Sequence, residues 1–166
     1  MKQWVDDHSS PASRLFYRSR AHQAAQLQAA IRHAGDLQGK SVLDVGCGYG
    51  DLIPFLPRCR YVGVDPDQEV IETARSLHPG FDFRCTDRIY KTDVVVAVAV
   101  LQCCADHELT VRRWMGVARE RVVVVSLCWE KLPEEHQDLS WWRGIPHERF
   151  EDGDDFFTAV IATSAT

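Results

Sequence analysis

The chain lacks most of the features that would assign it a function quickly. Its cysteines are Cys47, Cys59, Cys85, Cys103, Cys104 and Cys128, with no C-x-x-C pair among them. The vicinal Cys103-Cys104 has no histidine or cysteine at ligand spacing, so neither a zinc site nor a disulfide framework is indicated, and no metal is expected. Free, mostly buried thiols in a cytoplasmic protein are the expected state. The longest apolar run, Val94 to Leu101, falls far short of the roughly twenty residues that a membrane span needs. Residues Met1 to Asp7 carry no apolar signal core, and nothing suggests secretion. A basic surplus is missing too: 19 Lys and Arg against 24 Asp and Glu leave a net charge of −5, which argues against a nucleic-acid partner. The local clusters Arg14-Arg18-Arg20 and Arg112-Arg113 read as solvated helix faces. There are no internal repeats and no low-complexity tract. What remains is one soluble globular domain of 166 residues, 45% apolar and 26% charged.

The informative stretch is Ser41-Val42-Leu43-Asp44-Val45-Gly46-Cys47-Gly48-Tyr49-Gly50, an apolar strand running into a glycine-rich turn. A second strand, Tyr61-Val62-Gly63-Val64, ends at Asp65. Strand, glycine turn, helix, strand and terminal carboxylate together make a pocket for a nucleoside-bearing ligand. Dinucleotide binding prefers G-x-G-x-x-G, and its third glycine would fall where this chain has Asp51. The glycines stand instead at 46, 48 and 50. Gly46 and Gly48 can take positive φ and let backbone approach a ligand closely. A helix beginning near Tyr49 would aim its N–H groups and positive dipole end at a carboxylate. Asp44 can accept from an ammonium group or a bridging water, and Asp65 offers two oxygens to the two hydroxyls of a ribose. Val64 and Pro66 suit the side of an adenine. Ribose, adenine, carboxylate and ammonium without pyrophosphate describe S-adenosylmethionine.

With these residues the chain resembles the class I S-adenosylmethionine-dependent methyltransferases. The matching segments are Val42 to Gly50, Val62 to Pro66, Cys85-Thr86-Asp87-Arg88 and Asp93 to Leu101, in the family's order, and the resemblance covers roughly residues 12 to 128. It implies that Asp44, Gly46 and Gly48, with Cys47 between them, hold the methionine part, and that Asp65 and Pro66 flank the nucleoside. Asp87 would accept from the adenine amino group and the Arg88 N–H would read a ring nitrogen. Leu101 would wall the pocket near the methyl group, S-adenosylhomocysteine would be the product, and Gln102 could orient an acceptor or cap the strand toward solvent.

Periodicity gives a helix from about Ser13 to Ala34, with Leu15, Phe16, Ala24, Leu27, Ala30 and Ile31 as its apolar stripe, stopped at Gly35. Strands follow at 41–45, 60–64, 81–85, 93–100 and 121–128, with helices from the glycine turn to Leu56, from Asp67 to Leu77 and from Asp106 to Arg119. Strands apolar on both faces belong to a parallel sheet between helices. The expected fold is therefore α/β, a Rossmann-like, doubly wound, mostly parallel sheet with helices on both faces. Only Phe156 to Thr163 reads as a further strand, giving six strands with the last antiparallel, and residues 129–155 read as a helix plus irregular chain. Within a single domain, residues 1–35 would form a helical lid, 36–128 the cofactor-binding core and 129–166 a variable substrate-side segment with an edge strand.

Methyl transfer from a sulfonium is an in-line displacement that needs positioning and exclusion of water more than covalent help. Tyr17, His107 and His147 are candidate general bases with nothing to single one out, while Asp106 and His107 need only be helix-start residues. Phe16 or Tyr17 could close over the cofactor, and one of Trp141-Trp142 could line a pocket or an interface or else pack beneath the C-terminal edge of the sheet. The expected activity is methylation of a small molecule in the cytoplasm. RNA- or protein-directed methylation, or a cofactor-binding subunit without activity, are the alternatives, and the oligomeric state is open.

Overall fold

A computed structural model of the protein describes residues 20–127, 142, 144–153 and 156–163. The elements in chain order are α1 (Arg20–His33), β1 (Ser41–Val45), β2 (Arg60–Asp65), α2 (Gln68–Leu77), β3 (Asp82–Cys85), β4 (Thr92–Val98), α3 (His107–Val117), β5 (Ala118–Leu127), β6 (Glu148–Glu151) and β7 (Phe156–Ala162). They build one sheet in the order β3-β2-β1-β4-β5-β7-β6. Strands β1 to β5 pair in parallel, and β7 runs antiparallel to both β5 and β6. The chain therefore reverses its build direction between β3 and β4, which leaves a crevice at the carboxyl ends of β1 and β4.

The central strands explain the valine-rich runs in the sequence. Val94, Val95, Val96 and Ala97 of β4 and Val122 to Val125 of β5 are all fully buried, alternating between two apolar layers. Helices α1 and α2 cover one face, where Leu27, Ala30, Ile71 and Ala74 meet Val42, Val94 and Val96. Helix α3 covers the other, with Val111 and Trp114 against Leu43, Val95 and Val124. The cap foreseen at Asp106 forms, its carboxylate accepting from the Leu109 N–H, and Asp67 caps α2 in the same way, accepting from the N–H groups of Glu69 and Val70.

Three expectations are corrected. The sheet has seven strands rather than six, because Glu148–Glu151 pairs along β7. Its sequence, Glu-Arg-Phe-Glu, is that of a short charged edge strand, which carries no apolar alternation to read. No α-helix follows the glycine turn: residues 49–52 are turns, and Ile53–Phe55 form a single 3-10 turn with Pro54 at its start. Gly48 and Gly50 sit at φ +53° and +81°, outside helical space. The thiols are also less buried than expected, since of the five described cysteines only Cys47 is buried and Cys85 and Cys103 are exposed. Residues 1–19, with Leu15, Phe16 and Tyr17, and residues 128–141, with Cys128 and Trp141, lie outside the described residues. No helix among those described is long and apolar enough to cross a membrane.

The β6–β7 hairpin is tied to the end of α1 by one buried carboxylate. Asp152 accepts from Arg32 Nη1 at 2.9 Å and from the Thr158 hydroxyl, and meets His33 Nε2 at 2.9 Å. The His33 ring stacks on Phe150 at 4.0 Å. Asp152→Ala leaves these donors without their shared acceptor and should cost about 1–3 kcal/mol of stability, read as a lower urea midpoint with an unchanged slope.

Candidate active site

The glycine turn is built from its own backbone. Gly46 and Cys47 donate their N–H groups to the carbonyl of Val64 on β2, at 2.8 and 3.1 Å. Gly48 N–H donates to Asp65 Oδ2 at 3.2 Å, and Gly50 N–H to the Cys47 carbonyl at 3.0 Å. These N–H groups hold the turn, so the helix dipole expected at Tyr49 is not available to a ligand. Gly46 has φ +66°, and a Cβ there would lie 2.4 Å from Val100 Cγ2. Val100 reaches that position because the chain leaves β4 at Ala99 with φ +55°, the one described non-glycine residue at positive φ. Such backbone costs of order 1–3 kcal/mol and is held by its surroundings, here by Ala99 N–H donating to Val125 carbonyl at 2.9 Å.

Around this turn lies a cavity of about 670 Å³. Of the residues marked in the sequence, Asp44, Gly46, Cys47, Gly48, Asp65, Pro66 and Asp87 line it. Arg88 is exposed and is not part of the lining. Leu101, expected to wall the cavity, is instead fully buried in the core of the α3 face; Val100, Cys103 and Cys104 form the wall there. Gln102 is no solvent-facing cap either, since it is buried and both its amide atoms lack a partner. Among the base candidates, His107 and His147 are absent from the lining, and Tyr17 is outside the described residues. Trp142 is buried against Phe157 and His147, so it serves the core rather than a lid.

Several lining residues were not foreseen. Gln23 of α1 faces the cavity and donates to Asp51 Oδ2 at 3.2 Å. The clue was a pair of glutamines, Gln23 and Gln26, interrupting the apolar stripe. Asp51, Asp67 and Glu69 add to Asp44, Asp65 and Asp87, so six carboxylates face the cavity against one cation, Arg113. Among the described residues the cavity is thus a strongly acidic one.

The two strand-end carboxylates differ in state. Asp44 is 4% exposed, and burial, opposed by a 2.8 Å hydrogen bond from the Tyr61 hydroxyl and helped by the charges of Asp51 and Asp65, raises its pKa to about 7. Asp65 is also raised by burial, but the N–H groups of Asp67, at 3.0 Å, and Gly48 pull it back down. Two backbone donors fix its orientation and leave lone pairs on both oxygens for a diol. Burial pushes the thiol of Cys47 upward, and partial desolvation against the cavity wall does the same to the more accessible thiols of Cys103 and Cys104, which favours their neutral form.

The methyltransferase-domain family profile matches residues 43–124, the segment from β1 to β5 that carries the turn, Asp65, Asp87 and the end of β4. The chain carries a methyltransferase domain, as its resemblance to the class I S-adenosylmethionine-dependent methyltransferases implied. Solved methyltransferases share the whole fold at low identity. An S-adenosylmethionine-dependent methyltransferase from Aquifex aeolicus is 15% identical with a TM-score of 0.68, over 96% of each chain. A TehB-like methyltransferase from Corynebacterium glutamicum is 19% identical with a TM-score of 0.66, over 92% of this chain and 98% of that one. Magnesium protoporphyrin IX methyltransferase from Synechocystis, solved with S-adenosylmethionine bound, is 16% identical with a TM-score of 0.67, over 99% and 86%. No curated protein matches the sequence.

The state of Asp44 sets a testable stability profile for the methyltransferase. Its folded pKa lies above its unfolded value of 3.8, so between about pH 4 and pH 7 the folded form binds the extra proton and its stability falls as pH rises. Asp44→Asn keeps an acceptor for Tyr61 and removes that loss. The variant's advantage should be small near pH 4 and grow to on the order of 3 kcal/mol by pH 8, measured by denaturant unfolding without ligand.

Proposed function

We propose that this methyltransferase binds S-adenosylmethionine in the cavity between the glycine turn and the turn after β4, and transfers its methyl group to a small molecule. The acidic lining carries the reading. Among the described lining residues, six carboxylates against one arginine suit a ligand bearing a sulfonium and an ammonium, and they repel a polyanion such as RNA. The donor set fits the cofactor as well. Asp65 is oriented by two backbone N–H groups for a diol, and Asp44 stands beside the glycine turn for an ammonium. Gly48 has open space where a Cβ would be, so backbone can approach a ligand closely. Asp87 at the end of β3 and Pro66 at the end of β2 line the nucleoside end, with Arg88 next in the chain.

Bound S-adenosylmethionine supplies an electrophilic methyl group on a sulfonium. The chain's part is to orient and to exclude water. Asp44 and Asp65 fix the two ends of the nucleoside amino acid. Val100 closes over Gly46, and the neutral thiols of Cys103 and Cys104 line the wall without competing as nucleophiles. A cytoplasmic location belongs to the same reading and rests on the unpaired state of the five described cysteines.

Two results test this. S-adenosylmethionine or S-adenosylhomocysteine at about a hundred times its Kd should stabilise the protein by roughly 2.7 kcal/mol, and Asp65→Ala should abolish the shift in a thermal melt. With methyl-labelled S-adenosylmethionine and a cell extract, label should enter the small-molecule fraction. Label found in RNA or protein instead would replace the acceptor class proposed here.

A further inference from the structure

The contact that the methyltransferase reading leaves unexplained is the phenol of Tyr61. Tyr61, the second residue of β2, lies on the α1–α2 face, 5% exposed, with its ring edge-on to Phe83 at 5.7 Å and to Phe81 at 5.8 Å. Its hydroxyl donates to Asp44 Oδ2 at 2.8 Å, and that pair is buried. The register puts Val42 beside Tyr61 and Asp44 beside Gly63, so the phenol runs forward along the sheet to reach the carboxylate. Gly63 makes this possible: a Cβ there would lie 2.8 Å from the Tyr61 oxygen and 2.9 Å from Cys47 Sγ. The bare backbone at 63 and the tyrosine two residues earlier thus form one device that aims a neutral donor at Asp44.

Asp44 needs such a donor. The titratable groups facing it are Asp51 beyond the glycine turn, Asp65 at the end of β2, the Cys47 thiol and Tyr61 itself. Helix α1 contributes neutral Gln23, already bonded to Asp51, and β4 places Val96 beside Asp44. Among the described residues no cation belongs to this set. The carboxylate is therefore surrounded by negative charge and apolar wall, and a hydrogen bond to its ionised form is what favours the anion there. The ammonium of the cofactor needs that anion.

We propose that Tyr61 is a positioning residue for the cofactor: its hydroxyl holds Asp44 as the acceptor for the ligand's ammonium and sets the pH at which the site becomes competent to bind. The inference rests on the cofactor reading above and deepens it. Binding takes the proton from Asp44 to solvent, so affinity rises with pH and levels off once the carboxylate is ionised. Without the phenolic donor the same rise occurs at higher pH.

Calorimetric titration of S-adenosylhomocysteine into the wild type, Tyr61→Phe and Asp44→Asn from pH 6 to pH 9 tests this. A hydrogen bond to a charged group amounts to roughly one unit or more of pKa, so Tyr61→Phe should bind about five- to tenfold more weakly at pH 6–7 and within about twofold of wild type at pH 9. Asp44→Asn should bind weakly with no rise across this range. Should Tyr61→Phe fail to fold, 3-fluorotyrosine at position 61 keeps the hydroxyl, sharpens it as a donor and should move the profile to lower pH. A Tyr61→Phe profile that overlays the wild type, or one weakened equally at every pH, overturns the role of Tyr61 while the cofactor reading stands. No binding to the wild type at any pH overturns both.

Discussion

The ligand-facing end of this methyltransferase depends on one backbone constraint: the turn after β1 is pinned to β2 by its own N–H groups. Gly46 and Cys47 share the Val64 carbonyl, and Gly48 reaches the Asp65 side chain. That pinning fixes where Asp44 and Asp65 stand relative to one another. It also demands positive φ at three alternate residues, which glycine accepts without strain. On the far side the chain makes the matching adjustment at Ala99, whose left-handed backbone brings Val100 over Gly46. The turn and the end of β4 are thus shaped to each other, and the cavity is the space they leave.

The site sets function against stability. Six carboxylates are gathered around one cavity, and the most buried of them, Asp44, has its pKa raised to about 7. A protein selected for stability alone would place an amide or an apolar side chain there. The unfavourable grouping is what a cationic ligand would relieve, and this is why the electrostatics, rather than cavity size, carry the functional reading. Asp65 shows the milder form of the same arrangement, kept oriented by Gly48 and Asp67 N–H groups.

Much of this was legible in the sequence because it is written in local chemistry. Valine runs such as Val94–Val96 have to be strands buried on both faces, a carboxylate ending an apolar strand marks Asp65, and Asp106 announces its helix as a cap. The segment after the turn was misread because its apolar residues, Leu52, Ile53 and Phe55, mimic a helix, whereas Gly48, Gly50 and Pro54 forbid a regular one. Strand β6 was missed because an exposed edge needs charge rather than alternation. Leu101 differs from expectation because an apolar residue beside a cavity can serve the core or the wall equally well, and only the rotation of the 3-10 turn Leu101–Cys103 decides. Tyr61 looked like an ordinary strand residue, since its contact with Asp44 depends on a glycine in the same strand and a carboxylate on the neighbouring one.

A crystal structure of the protein grown with saturating S-adenosylhomocysteine tests the central claim most directly. The account predicts ligand density in the cavity, with the ribose hydroxyls on Asp65, the ammonium end beside Asp44 and the adenine between Pro66 and the end of β3. An empty cavity at saturating ligand, or density bound away from the glycine turn, would contradict it.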